Sequence, residues 1–162
     1  MPKTIHDRFR NLEGKWSIKR TLGDIGKAEG EAAFLLLGSS NVMVYQEILE
    51  VTFHGNAPQT GHQEYKFIYN IERDTINKYN SFDNFVSDNF MYHLKFSGDK
   101  ANGKYVCNSD VYSATYRFVD DNKFTLLYDV TGPGKNYYIL TEFEKIIEQD
   151  VWGASLDLDS VE

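Results

Sequence analysis

The residues of this chain whose types and spacing suit chemistry are Arg20, Tyr45, Glu47, Asp110, Tyr112, Lys135 and Tyr137. Arg20 has the same strand parity as Trp16 and Ile18, so it points to the side taken by two core-type residues. An inward arginine in a small β-domain binds a ligand carboxylate through its bidentate fork, or it pairs with an internal carboxylate, and Glu47 is the candidate partner. Glu47 lies in Met43-x-Tyr45-x-Glu47-x-Leu49-x-Val51, where it reads either as an internal carboxylate or as a rim group in water. Asp110 follows Cys107-Asn108-Ser109 and reads either as a turn residue whose carboxylate caps local N–H groups or as part of a polar binding cluster. That cluster would include Tyr112, Lys135 and Tyr137. With Glu47 or Asp110 as general base and a tyrosine as acid, the same residues would support catalysis on a small ligand.

Other motifs are weaker. Cys107 would need a neighbouring cation to become a nucleophile, and Lys135 is the only obvious one. Gly132-Pro133-Gly134-Lys135 resembles the end of a phosphate-binding loop, but position 129 is Asp and Asn136 stands where Ser or Thr would hold magnesium; it reads as a hairpin turn. His6, His54, His62 and His93 lack metal-ligand spacing, so neither a metal nor a cofactor is expected.

The elements that must position these groups follow from a period-2 alternation of apolar and polar residues. It predicts strands at about Lys15 to Arg20, Glu31 to Leu37, Val42 to Phe53, Gln63 to Ile71, Ile76 to Phe82, Phe90 to Phe96, Gly103 to Asn108, Val111 to Val119, Lys123 to Thr131 and Asn136 to Ile146. Turn residues such as Gly38-Ser39-Ser40-Asn41 and Gly98-Asp99-Lys100 fill the gaps. Before the strands, Ile5 to Asn11 has the signature of a short amphipathic helix with Thr4 as N-cap, suited to plugging one end of the domain. The expected fold is all-β: a single antiparallel up-and-down barrel of about ten strands, closed because closure removes exposed edges. The rows Tyr65/Phe67/Tyr69/Ile71, Phe90/Tyr92/Leu94/Phe96, Tyr112/Ala114/Tyr116/Phe118 and Phe124/Leu126/Tyr128/Val130 are expected to face inward. Buried phenols need hydrogen-bond partners, so this interior suits a small amphipathic or aromatic molecule, unless the rings fill it completely.

Composition narrows the partners. The chain has 162 residues with 15% aromatic, and 17 Lys+Arg against 24 Asp+Glu give a net charge of -7, which argues against nucleic acid and anionic membrane surfaces. The single cysteine excludes an intrachain disulfide, and no apolar run is long enough to span a membrane; a reducing, cytoplasmic setting is expected. Residues 1–147 read as the barrel domain and 148–162 as an acidic tail in which Trp152, Leu156 and Leu158 would serve a protein partner or fold back on the barrel.

Gly14-x-Trp16 at the entry to the first strand resembles the opening of lipocalin-like (calycin) barrels. The resemblance implies a tryptophan at the closed barrel end, covered by a basic side chain from a late strand: Lys145, or failing that Arg117. In order along the chain come Trp16-x-x-x-Arg20, Gly30-x-Ala32-x-Phe34, Tyr45-x-Glu47, Cys107-x-x-Asp110-x-Tyr112 and Gly132-Pro133-x-Lys135-Asn136-Tyr137. Together they resemble a conserved domain family of unknown function whose members look like small lipocalin-type barrels, over roughly Leu12 to Lys145. Tyr105 stands where that pattern has histidine, and Asn136 where it has aspartate, so no role of those two groups carries across.

Overall fold

The computed structural model describes residues 3–80 and 90–147. Helix α1 (Ile5–Asn11) starts at a reciprocal capping box: the Asp7 N–H donates to Thr4 Oγ1 at 3.0 Å and the Thr4 N–H donates to the Asp7 carboxylate at 3.2 Å. Its apolar side delivers Phe9, almost wholly buried, into the barrel end.

Ten antiparallel strands follow: β1 (Gly14–Leu22), β2 (Gly26–Leu36), β3 (Val42–Phe53), β4 (Gln59–Asn70), β5 (Thr75–Asn80), β6 (Phe90–Ser97), β7 (Lys100–Cys107), β8 (Asp110–Asp120), β9 (Lys123–Gly132) and β10 (Lys135–Lys145). Each pairs with the next, and β10 returns to β1, closing the barrel. The closing register places Trp16 opposite Lys145 and Arg20 opposite Thr141.

The end nearest α1 is solid. Trp16 lies edge-on to Phe124 at 4.9 Å, Phe124 stacks on Phe143 at 4.2 Å, and the Trp16 indole N–H donates to the Leu12 carbonyl at 2.9 Å. Each such ring contributes about 1.5 to 3 kcal/mol by leaving water. Lys145 sits with Nζ 5.0 Å from the indole centroid while donating to the Asn11 carbonyl at 2.7 Å, tying the helix end to the last strand. Close approach of β2 to β3 requires glycine at position 30, because a Cβ there would lie 2.0 Å from the Ile48 carbonyl oxygen.

Two inward assignments are corrected. Ile71 lies beyond β4 and is exposed, because the strand ends at Asn70 in a turn. Phe90 is also exposed: the β5–β6 register shifts after Lys78/Tyr92, so Phe90 opposes Tyr79 and Met91 is the extra residue. Strand β4 begins four residues earlier than expected because its backbone continues the ladder with the long β3, pairing Gln59 with Val51. Between β6 and β7 only three residue pairs, next to the turn, are in register; beyond them the Tyr92 ring packs directly over Gly103. The fifth predicted strand's last residues, Ser81 and Phe82, and the acidic tail lie outside the described residues. No helix among the described residues is long and apolar enough to cross a membrane.

Candidate functional site

Above the aromatic floor, the interior opens into a cavity of about 320 Å³, within the size range of small-molecule sites. Its floor is Phe34, Phe124 and Phe143, and its walls carry two polar groups of residues that the barrel brings together from distant strands.

The first group is centred on Glu47, 2% exposed. Arg20 on β1 grips it bidentately, Nη1 to Oε2 at 2.7 Å and Nη2 to Oε1 at 2.8 Å. The Tyr45 hydroxyl donates to the same Oε1 at 2.5 Å, and Arg20 Nε donates to Thr141 Oγ1 at 2.8 Å. Period-2 geometry explains the convergence: Tyr45 and Glu47 are two apart on β3, and Arg20 faces inward from β1, its long side chain spanning the four-residue register offset between Ala28 and Ala32, the β2 partners of Arg20 and Glu47. Burial alone would lower the Arg20 pKa, but the hydrogen bonds and charge of Glu47 outweigh it and hold the guanidinium firmly charged. Burial, reinforced by Glu47, pushes the Tyr45 phenol well above its ordinary range. Both Glu47 oxygens are occupied, so the geometry suits an anchoring ion pair better than a general base.

The second group is centred on Lys78, which sequence reasoning missed. Strand β5 alternates Ile76, Lys78, Asn80, and with Ile76 in the core Lys78 must share its face. Its side chain is buried, and Nζ donates to Tyr128 Oη at 2.9 Å. The ammonium position lies 4.1 Å from the Tyr65 ring centroid and 5.4 Å from those of Phe67 and Tyr128. A phenol chain continues from there, Tyr128 to Tyr92 at 2.6 Å and Tyr92 to Tyr116 at 2.8 Å. Among the described residues no carboxylate lies within ion-pair distance of Lys78. Burial therefore dominates and drops its pKa from 10.5 to about 7, against the weaker opposing pull of Glu47. Burial also raises the phenols of Tyr92 and Tyr128 well above their usual range.

The remaining sequence candidates sit at the mouth. Tyr112 lines the cavity entrance, stacked on Tyr105 at 4.7 Å with the rings nearly parallel. Asp110 and Lys135 form an ion pair at 2.9 Å, the Lys135 end of which is exposed, and the Asp110 carboxylate packs against Gly132, where a Cβ would meet its oxygen at 2.1 Å. Tyr137 is 40% exposed on the rim. The seven candidates thus divide into an interior set, Arg20, Tyr45 and Glu47, an entrance residue, Tyr112, and a rim set, Asp110, Lys135 and Tyr137. Cys107 is exposed, and His93 points outward.

Comparison with known proteins supports the architecture. An S-type phycobiliprotein lyase from Guillardia theta superposes with a TM-score of 0.66 at 9% identity, covering 90% of this chain and 94% of its own. A redesigned β-barrel bound to the small molecule DFHBI superposes with a TM-score of 0.42 at 12% identity, covering 83% of this chain and 99% of its own. At 9% identity the likeness to the lyase concerns the fold alone. No curated protein sequence matches the chain. A family model does match, over residues 12–145, the same span in which the motifs from Trp16 to Tyr137 fall, and on that match the chain belongs to the family of unknown function DUF6314.

Proposed function

We propose that this barrel is a binding module for a small amphipathic, aromatic molecule held in the tyrosine-lined cavity. The observation that carries the reading is the cavity of about 320 Å³, in which an aromatic floor lies beneath the paired charges of Arg20 and Glu47. A solid aromatic core would have no need of them: a buried Arg20–Glu47 pair costs several kcal/mol of desolvation per ion, and apolar residues would pack the same space at least as stably. Flat rings stack on Tyr65, Phe67 and Tyr105, while hydroxyl or anionic substituents meet Arg20, Thr141 and the phenols of Tyr116 and Tyr128. Asp110, Tyr112, Lys135 and Tyr137 would make the entrance contacts. An exposed free Cys107 fits a reducing cytoplasmic setting.

Native mass spectrometry of protein purified from its own source, compared with the denatured mass, tests the proposal. The expected result is a released small molecule, or a one-to-one complex with a member of a panel of aromatic amphiphiles. A bare polypeptide mass that no panel member changes would refute it.

A further inference from the structure

The cavity contains one feature that reversible binding does not require, the uncompensated lysine. Lys78 is 4% exposed, faces the cavity and is enclosed by the rings of Tyr65, Phe67, Tyr92 and Tyr128. Its only hydrogen bond to a described residue is to a phenol, and the nearby carboxylate, Glu47, is already saturated by Arg20 and Tyr45. A buried ammonium without a counter-ion is disfavoured, so this site favours the neutral amine, whose lone pair is a nucleophile. We infer that Lys78 captures carbonyl ligands covalently, so that the cavity takes aromatic aldehydes or ketones as imines; this rests on the proposed binding function and names its ligand class.

The chemistry balances without a redox partner. The Nζ lone pair forms a bond to the carbonyl carbon while the C=O π pair moves to oxygen, and a proton passes from nitrogen to that oxygen to give a carbinolamine. Loss of the hydroxyl with a further proton as water leaves the C=N bond. Tyr128, hydrogen bonded to Nζ at 2.9 Å and to Tyr92 at 2.6 Å, is placed to hold the oxygen and hand on the proton along the phenol chain. The aromatic cage excludes bulk water, which slows hydrolysis of the imine. The amine is poised for this at neutral pH, since its pKa falls to about 7.

The test uses the full chain and two probes of the same shape, 4-isopropylbenzaldehyde and 4-isopropylbenzyl alcohol, the second lacking the carbonyl and neither offering a conjugate-addition site to the exposed Cys107 thiol. Each is incubated at pH 7.5 with and without sodium cyanoborohydride, then read by native mass for binding and by denatured mass and peptide mapping for covalent attachment. Expected is one irreversible adduct with the aldehyde in the presence of cyanoborohydride, at Lys78 in preference to the other 11 lysines of the chain, with the alcohol bound only reversibly. Lys78→Met should lose the adduct; should that variant fail to fold, the wild-type peptide map decides alone. Reversible binding of both probes without a Lys78 adduct, or adducts spread over surface lysines, overturns the imine and leaves the binding function standing. Failure of both probes to bind overturns the imine for this ligand class, while the endogenous ligand test above judges the binding function separately.

Discussion

Replacing Lys78 by methionine should stabilise the protein at neutral pH, and the gain should fade as the pH rises. The wild-type amine has a pKa of about 7 in the fold against 10.5 in the unfolded chain. Between those values the unfolded chain binds a proton that the folded protein does not, so wild-type stability rises with pH across that window. Below about pH 7 both states carry the proton and the full cost of burying the charge is present; above 10.5 neither does and the cost vanishes. At about 1.4 kcal/mol per unit, the shift amounts to about 5 kcal/mol as an upper bound. Methionine fills nearly the same space without a charge, and Tyr128 keeps its hydrogen bond to Tyr92. Allowing for lost packing and the lost Nζ bond, the variant should gain about 2 to 3 kcal/mol at pH 7, and that gain should shrink by about 2 kcal/mol by pH 9. Urea unfolding of both proteins at pH 6, 7, 8 and 9 measures this, and groups shared by the two, including Glu47, Arg20 and Tyr65 around the site, cancel in the difference. A difference that does not change with pH would refute the reasoning, since it would mean that Lys78 titrates alike in both states.

Further outcomes are expected elsewhere in the barrel. Arg20→Met leaves Glu47 buried and unpaired and should cost about 3 to 5 kcal/mol, most of it recovered in the double variant Arg20→Met/Glu47→Leu; a denaturant double-mutant cycle without that recovery contradicts the ion-pair account. Gly30→Ala drives a Cβ to 2.0 Å from the Ile48 carbonyl and should cost about 3 kcal/mol, whereas Gly61→Ala, whose nearest neighbour is 3.6 Å away, should cost less than about 1 kcal/mol in the same melts. Lys145→Met removes the cation over Trp16 and the bond to the Asn11 carbonyl, so a loss of about 1 to 2 kcal/mol and a shifted indole emission in a Trp152→Phe background are expected. Lys135→Ala at the exposed rim should leave the melting midpoint unchanged while weakening ligand capture, measured by titration of the bound molecule.

Much of this molecule is written in local pattern. The turn residues and the alternation from Gly14 onward determine ten antiparallel strands, because a pleated strand has a side-chain period of two and only one face is buried. The Thr4/Asp7 pair determines where the helix begins. Arg20 was legible as an inward charge because its i−2 neighbour, Ile18, is a core-type residue, whereas the pattern around Glu47 allowed both an internal and a rim position and the fold decided for the interior. Only the tertiary structure decided which inward groups meet. Ring closure puts Thr141 opposite Arg20, and the register shift at Lys78/Tyr79 turns Phe90 to the outside. Lysine is ordinarily solvated, and the one local sign that Lys78 is buried is Ile76 two residues before it on the same strand face. The surroundings that hold Lys78 come from β4, β6 and β9, including a tyrosine fifty residues further along the chain. A pKa is set by the dielectric and charges within a few ångströms, and in a closed barrel those belong to strands that are remote in sequence.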